Sequence, residues 1–258
     1  MSETFIGVDV GGTKIAVAVL DGATLGEALV TPTDKSGSDA LVEQLAASIE
    51  KARTDQTAAV GLGVPSVVEF ATGRVKSSVN VPLKDVELRT VLGDRLGLPV
   101  FVDNDATVAA LAEAHDDDGR IAVRDLVMLT VGTGVGGGLV IGGRLYRGAT
   151  GAAAEVGHTI VGLDMSEGVA APPGFPAPGS LEALAAGTAL DKLAATSARD
   201  HPDSALGRRA AAGESVLGPD VVAAAADGDE QARRMVALLG QRLGIGIANA
   251  INLFDPEE

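Results

Sequence analysis

Two short glycine-rich turns, each set between two apolar runs, constrain this chain more than any other feature of it. In the first, Phe5 to Val10 and Ile15 to Leu20 flank Gly11-Gly12-Thr13-Lys14; in the second, Leu126 to Val131 and Leu139 to Ile141 flank Gly132 to Gly138. Runs rich in Val and Ile around a glycine turn predict strand–turn–strand. One copy in each half predicts a duplicated α/β core with a cleft between two lobes. Glycine permits positive φ and close backbone approach, and successive amide N–H groups in such a turn form a nest for an anion. The Thr13 hydroxyl and Lys14 ammonium add donors, and Asp9 brings a carboxylate to the strand end, where it can hold Mg²⁺ through water. A plain glycine turn beside a solvated Asp fits the same residues.

The second turn spells G-x-G-x-x-G from Gly132 to Gly137. A dinucleotide site needs a helix to start inside that motif, whereas Gly138-Leu139-Val140-Ile141 reads as strand. A phosphate-cradling turn that matches the first fits better. No G-x-x-x-x-G-K-[ST] occurs, so the chain is not a P-loop protein.

Composition narrows the class. The 258 residues are 46% hydrophobic, which excludes a disordered chain. Asp and Glu outnumber Lys and Arg by 35 to 20, a net charge of −15; that field repels phosphate backbones and anionic lipid, so neither nucleic acid nor membrane is expected as a partner. Zero cysteines exclude disulfides and thiolate metal sites. The start, MSETFIGVDV, lacks the basic and apolar regions of a signal peptide, and the uncharged run Leu126 to Gly143 is too glycine-rich for a membrane span. A cytoplasmic protein is expected.

Between the turns, Ser38 reads as the N-cap of a helix carrying Leu41, Leu45 and Ile49, and Ala58 to Val64 as a buried strand ending at Pro65. Leu98 to Val102 predicts a strand running into Asp103-Asn104-Asp105, then a helix over Ala106 to Ala114. His115 to Gly119 is an acidic turn suited to a hinge, which divides the chain into lobes 1–115 and 116–258. Four prolines stiffen the loop 168–180, Ser180 caps a helix through Leu193, and a long helix covers about Asp229 to Leu253.

The polar candidates lie at two places. In Asp103-Asn104-Asp105, one carboxylate can cap the helix while its neighbour serves as general base for a sugar hydroxyl; capping alone is the simpler alternative. Glu155 and His158 stand three apart among small apolar residues, where no solvated face explains them. His115 and His201 offer no matching spacing for a zinc site, so hydrogen bonding to a polyol is the better use of that pair.

Asp9-x-Gly11-Gly12-Thr13-Lys14, Gly61 to Pro65, Asp103-Asn104-Asp105-Ala106, Gly132 to Gly137 and Glu155-x-x-His158 follow one another in a single order. In that order they resemble the ROK family of sugar kinases and repressors, most closely its bacterial glucokinases, over nearly the whole chain. The resemblance implies an actin-like ATPase fold of two ribonuclease-H-like lobes closing over sugar and ATP-Mg²⁺. It implies Asp105 as the base for the 6-hydroxyl of glucose. Asn80, Asn104, Glu155, His158 and Glu182 would hydrogen-bond the other hydroxyls. Gly11, Gly12, Thr13, Lys14, Gly132, Thr133, Gly134 and Gly136 would surround the phosphates, with Asp9 near Mg²⁺. A homodimer is implied too. Fructose or N-acetylmannosamine as substrate, polyphosphate as donor, and a non-catalytic sugar-binding role are the alternatives.

The chain departs from the family pattern twice. The family's three zinc cysteines would fall at Pro173, Phe175 and Ser180, although Gly179, Leu181 and Glu182 still fit; no structural zinc is expected. The family also continues past the Asn-Leu-Phe-Asp-Pro stretch, here residues 252–256, into a strand and glycine turn beside the adenosine. On that reading the C-terminal part is missing, and the chain is expected to bind glucose measurably, bind ATP poorly, turn over slowly and aggregate. Only Met1 to Thr4 precede Phe5, which argues against the repressors' helix-turn-helix.

Overall fold

The structure, a computed structural model, describes residues 3–78, 80–162 and 175–258. The described residues fall into two compact units, the first within the spans 1–128, 138–154 and 257–258, the second within 129–137 and 155–256.

The first unit opens with β1 (Thr4–Val10) and β2 (Lys14–Asp21), antiparallel neighbours joined by the glycine turn. Burial along β1 alternates strictly, with Ile6, Val8 and Val10 inside and Phe5, Gly7 and Asp9 outside, the period-2 signature of a strand with one covered face. β3 (Thr24–Leu25) and β4 (Leu29–Pro32) extend β2. Next come α1 (Ser38–Ala52), β5 (Thr57–Val64), β6 (Ser66–Glu69), β7 (Arg74–Ser78), β8 (Val86–Glu87), α2 (Leu88–Leu96), β9 (Val100–Asn104) and α3 (Asp105–Glu113). The main sheet has the order β3-β2-β1-β5-β9, with β4 also on β2. β1, β5 and β9 run parallel, so their C-terminal ends share one edge, the edge where α/β sheets place ligands. Ile6, Val8, Leu41, Leu45, Ile49, Leu62 and Leu92 form the core beneath them.

β10 (Leu126–Val131), β11 (Val135–Ile141) and β12 (Arg144–Leu145) make a separate sheet in that order. The chain passes from the first unit to the second within β10 and back within β11. The sequence puts the division after His115, but Ala110 of α3 and Ala114 just after it pack with Leu126 and Val140, which keeps 116–128 in the first unit. The acidic turn closes on itself: the Asp116 carboxylate accepts from the Asp118 and Arg120 amides, and His115 bridges Ile121.

The second unit is helical: α4 (Leu181–Ala185), α5 (Gly187–Asp200), α6 (Ala205–Ala211), α7 (Gly218–Ala226) and α8 (Glu230–Phe254). By length and composition α8 could cross a bilayer. In this fold it buries Ala232, Met235, Gly246 and Ala250, with Met235 and Ala232 in a cluster with Leu190 and Val221.

Several sequence expectations need correction. Gly37, not Ser38, is the N-cap of α1; it lacks a side chain, and Ser38 already has helical geometry. β9 begins two residues later than expected and takes in Asp103 and Asn104, because Gly63 and Val64 of β5 offer them ladder partners. The second glycine turn is only Gly132 to Gly134, since Gly136, Gly137 and Gly138 are strand. Gly138 must lack a side chain: a Cβ there would sit 2.4 Å from that of Ala110. The helix capped by Ser180 breaks at Ala186, whose extended backbone starts α5. The strands β6, β7 and β8 and the helices α2, α6 and α7, none longer than nine residues, lie outside the elements that the sequence predicts. Much of the proline loop lies outside the described residues.

Candidate active site

The first unit gathers most of its candidates at the parallel-strand edge. Register aligns Asp9 of β1 with Gly63 of β5, and Gly63 with Asp103 of β9. Asp105 folds over the bare Gly63 backbone, its Cα 3.3 Å from where a Cβ would stand. Gly63 is therefore what lets Asp105 approach Asp9. Asn104, not a carboxylate as expected, caps α3 by accepting from the Thr107 amide at 3.0 Å, and its amide donates to Ser66 O at 3.4 Å. The capping role therefore falls to neither neighbouring Asp. Asp105 Oδ1 accepts from the Ala106 amide at 2.8 Å. Burial pushes the Asp105 carboxyl above the usual carboxylate range; the Ala106 hydrogen bond opposes that rise and the charge of Asp9 adds to it. A raised carboxyl at a strand end matches what a general base needs.

The first glycine turn lies on the same edge. Gly11 N–H bonds Lys14 O at 2.9 Å, and Thr33, which the sequence did not single out, braces the turn by donating to Gly11 O at 2.7 Å. Asn80 backs it: a Cβ on Gly12 would lie 3.1 Å from Asn80 O. Thr13, Lys14 and Asp9 are exposed, and Lys14 has no ion pair among the described residues. An exposed carboxylate beside accessible turn amides suits a hydrated Mg²⁺ accompanying phosphate.

In the second unit, the α4–α5 elbow grips the other glycine turn. Gly187 N–H bonds Gly132 O at 2.8 Å, and the Thr188 hydroxyl donates to Thr133 O at 3.2 Å. Glu182 Oε2 accepts from Val135 N–H at 2.8 Å and lies across Gly134, where a Cβ would meet it at 2.3 Å. Glu182 thus holds the phosphate-type turn, a contact the sequence did not reveal. Removing this charged acceptor should cost about 1.5–3 kcal/mol locally. We expect Glu182→Ala to speed exchange of the Val135 amide at least tenfold while Glu182→Gln, still an acceptor, stays within threefold. NMR exchange rates check this, and equal rates in all three proteins would contradict it.

Glu155 precedes a short 3-10 turn, Val156–His158, and His158 ends it, with 3.5 Å between His Nε2 and Glu Oε2. Contrary to expectation, Glu155 is exposed and His158 half-buried, His158 lying against the Phe175 ring at 4.8 Å. Both present polar atoms that an incoming hydroxyl can bond.

Among the described residues no group of three or more His, Cys, Asp or Glu is arranged for a metal. Of the three positions of the family's zinc cysteines, Phe175 is exposed and Ser180 is buried as the α4 cap, and neither donates a thiolate. Elemental analysis is expected to find less than a tenth of an equivalent of zinc (about the level of adventitious binding), and chelation to leave the melting temperature unchanged. Stoichiometric zinc would overturn this.

The chain is 34% identical to a glucokinase of Halalkalibacterium halodurans over 98% of its length and 78% of the relative's. It is 32% identical to the xylose repressor of Caldicellulosiruptor bescii over 77% of its length and 48% of the repressor's. Its fold superposes with a TM-score of 0.81 on a ROK family glucokinase of Streptomyces griseus solved with glucose and AMPPNP, at 32% identity, covering 98% of this chain and 80% of that one. The fold is accordingly the actin-like ATPase fold, in a chain shorter than these relatives. The ROK family model matches residues 5–258, and the chain belongs to the ROK family.

Proposed function

We propose that this protein transfers a phosphoryl group from ATP to the 6-hydroxyl of glucose, with Asp105 as general base. The observation that carries the reading is Asp105 itself: a carboxyl raised by burial, one oxygen fixed by the Ala106 amide, set beside Asp9 and the first glycine turn. In the forward step the ionised Asp105 takes the hydroxyl proton as the hydroxyl oxygen bonds the γ-phosphorus and the bond to the β-phosphate oxygen breaks, releasing ADP. Asn80, Asn104, Glu155, His158 and Glu182 are assigned to the remaining hydroxyls. Gly11, Gly12, Thr13, Lys14, Gly132, Thr133, Gly134 and Gly136 are assigned to the phosphates. Asp9 would hold Mg²⁺ through water, and the ion would neutralise phosphate charge. Because an unmatched buried polar group costs about 1–3 kcal/mol, sugar epimers should differ strongly as substrates.

A second reading, a sugar-binding regulator without catalysis, has the xylose repressor relative in its favour. A coupled ADP-release assay over a panel of hexoses and amino sugars separates the two. Glucose-dependent ADP release is expected. Sugar binding by calorimetry with no sugar-dependent ADP release would replace the kinase by the regulator.

A further inference from the structure

Asp103 is a buried carboxylate: it is 7% exposed, on β9, two residues before Asp105. Its two oxygens are both used. Oδ1 accepts from the Asn104 amide at 2.9 Å, and Oδ2 accepts from Arg147 Nε at 2.8 Å. Arg147 follows β12, forty-four residues away in sequence, and its guanidinium carbon stands 3.7 Å from the centroid of the Phe70 ring. Phe70 sits between β6 and β7, and its carbonyl is held by Arg89. The segment carrying Arg147 is docked a second time at Gly151, whose φ of +83° and position 2.1 Å (for a Cβ) from Val68 O admit no side chain. Arg147 therefore ties three separate segments at one point. The carboxylate it grips holds the amide of Asn104, and Asn104 in turn caps the helix that begins with Asp105.

We propose that Arg147 is a positioning residue: by clamping Asp103 against the Phe70 ring, it fixes the β9–α3 junction so that Asp105 faces the hydroxyl it deprotonates. This rests on the kinase reading for its catalytic consequence, but not for its structural one. A guanidinium does this better than an ammonium, because its flat face stacks on the ring while its edge donates along a fixed direction. A misplacement of about 1 Å at a reacting group can cost a hundredfold in rate, so a clamp remote from the substrate has a measurable effect on turnover.

Arg147→Met leaves Asp103 buried without its cation and can fail to fold. The double variant Asp103→Asn/Arg147→Met removes both charges, which leaves buried pairs close to neutral in stability. Both proteins and the parent are assayed with glucose and Mg-ATP, and amide exchange is followed at Asn104 and Thr107. The double variant is expected to melt within a few degrees of the parent, with kcat lowered at least tenfold, KM for ATP within twofold, and exchange at both amides at least tenfold faster. Arg147→Lys, which keeps the charge and loses the fork, should lie between. Parent-like kcat in the double variant would mean that Arg147 only compensates a buried charge, and would overturn the proposal. If the parent itself phosphorylates no sugar, the kinase reading fails, and the exchange arm still decides the clamp: unchanged protection at Asn104 and Thr107 refutes it.

Discussion

Replacing Asp105 by Asn should lower kcat by at least about a hundredfold, the lower end of what general-base assistance contributes, while glucose affinity changes less than about threefold. Asn retains the shape, and its Oδ1 can still accept from the Ala106 amide that now fixes one carboxylate oxygen. What it loses is basicity. Stability should move the other way. Burial, with the repulsion of Asp9 behind it, raises the folded-state pKa above the unfolded one, so between those two values the folded protein binds more protons than the unfolded. Stability contributed by this group therefore falls as pH rises through that window, and the ionised form is a penalty at neutral pH. Asp105→Asn removes the penalty: its melting temperature should equal or exceed the parent's at pH 7 and lose that advantage near pH 4. A variant that keeps more than half the parent's kcat removes Asp105 from the mechanism, and one that melts earlier than the parent at pH 7 contradicts the origin assigned to the shift.

The largest structural effect is expected at Gly157, between Glu155 and His158. A Cβ there would lie 2.0 Å from Val135 O and 3.0 Å from Val135 C. Both are backbone atoms of the strand that leaves the second glycine turn, so nothing flexible can give way. Gly157→Ala should destabilise the second unit by about 1–3 kcal/mol, the range for overpacking, and pull Val135 N–H away from Glu182. Gly244 on α8 is the control: a Cβ there meets nothing within 4 Å, so Gly244→Ala should stabilise by about 0.5–1 kcal/mol through helix propensity alone. Calorimetric melting of both variants checks the pair. Equal melting temperatures would show that the contact at Gly157 relaxes without cost.

How much of this was legible in the sequence depends on how local the cause is. The β1 and β2 strands, the first glycine turn, the start of the second and α8 follow from periodicity and glycine placement, which act over a few residues. The placement of Asp105 over Gly63 was half legible: the residues stood out, but only strand register across β5 and β9 brings them together. The Arg147–Asp103 pair was not legible, because an ion pair across forty-four residues leaves no periodic trace. The hydrogen bond that Glu182 accepts from Val135 was not legible either, since it depends on how α4 packs against the second glycine turn. The short β6–β8 strands were missed because two- to five-residue elements carry too few apolar positions to set a period.

The most direct test of the central claim is a product analysis by phosphorus NMR, with the protein, glucose and Mg-ATP in one tube. Glucose 6-phosphate and ADP should rise together in equal amounts, and both should stay at background with Asp105→Asn. ADP without phosphosugar, or no ATP consumption by a folded protein that binds glucose, would contradict the assignment of this chain as a hexose kinase.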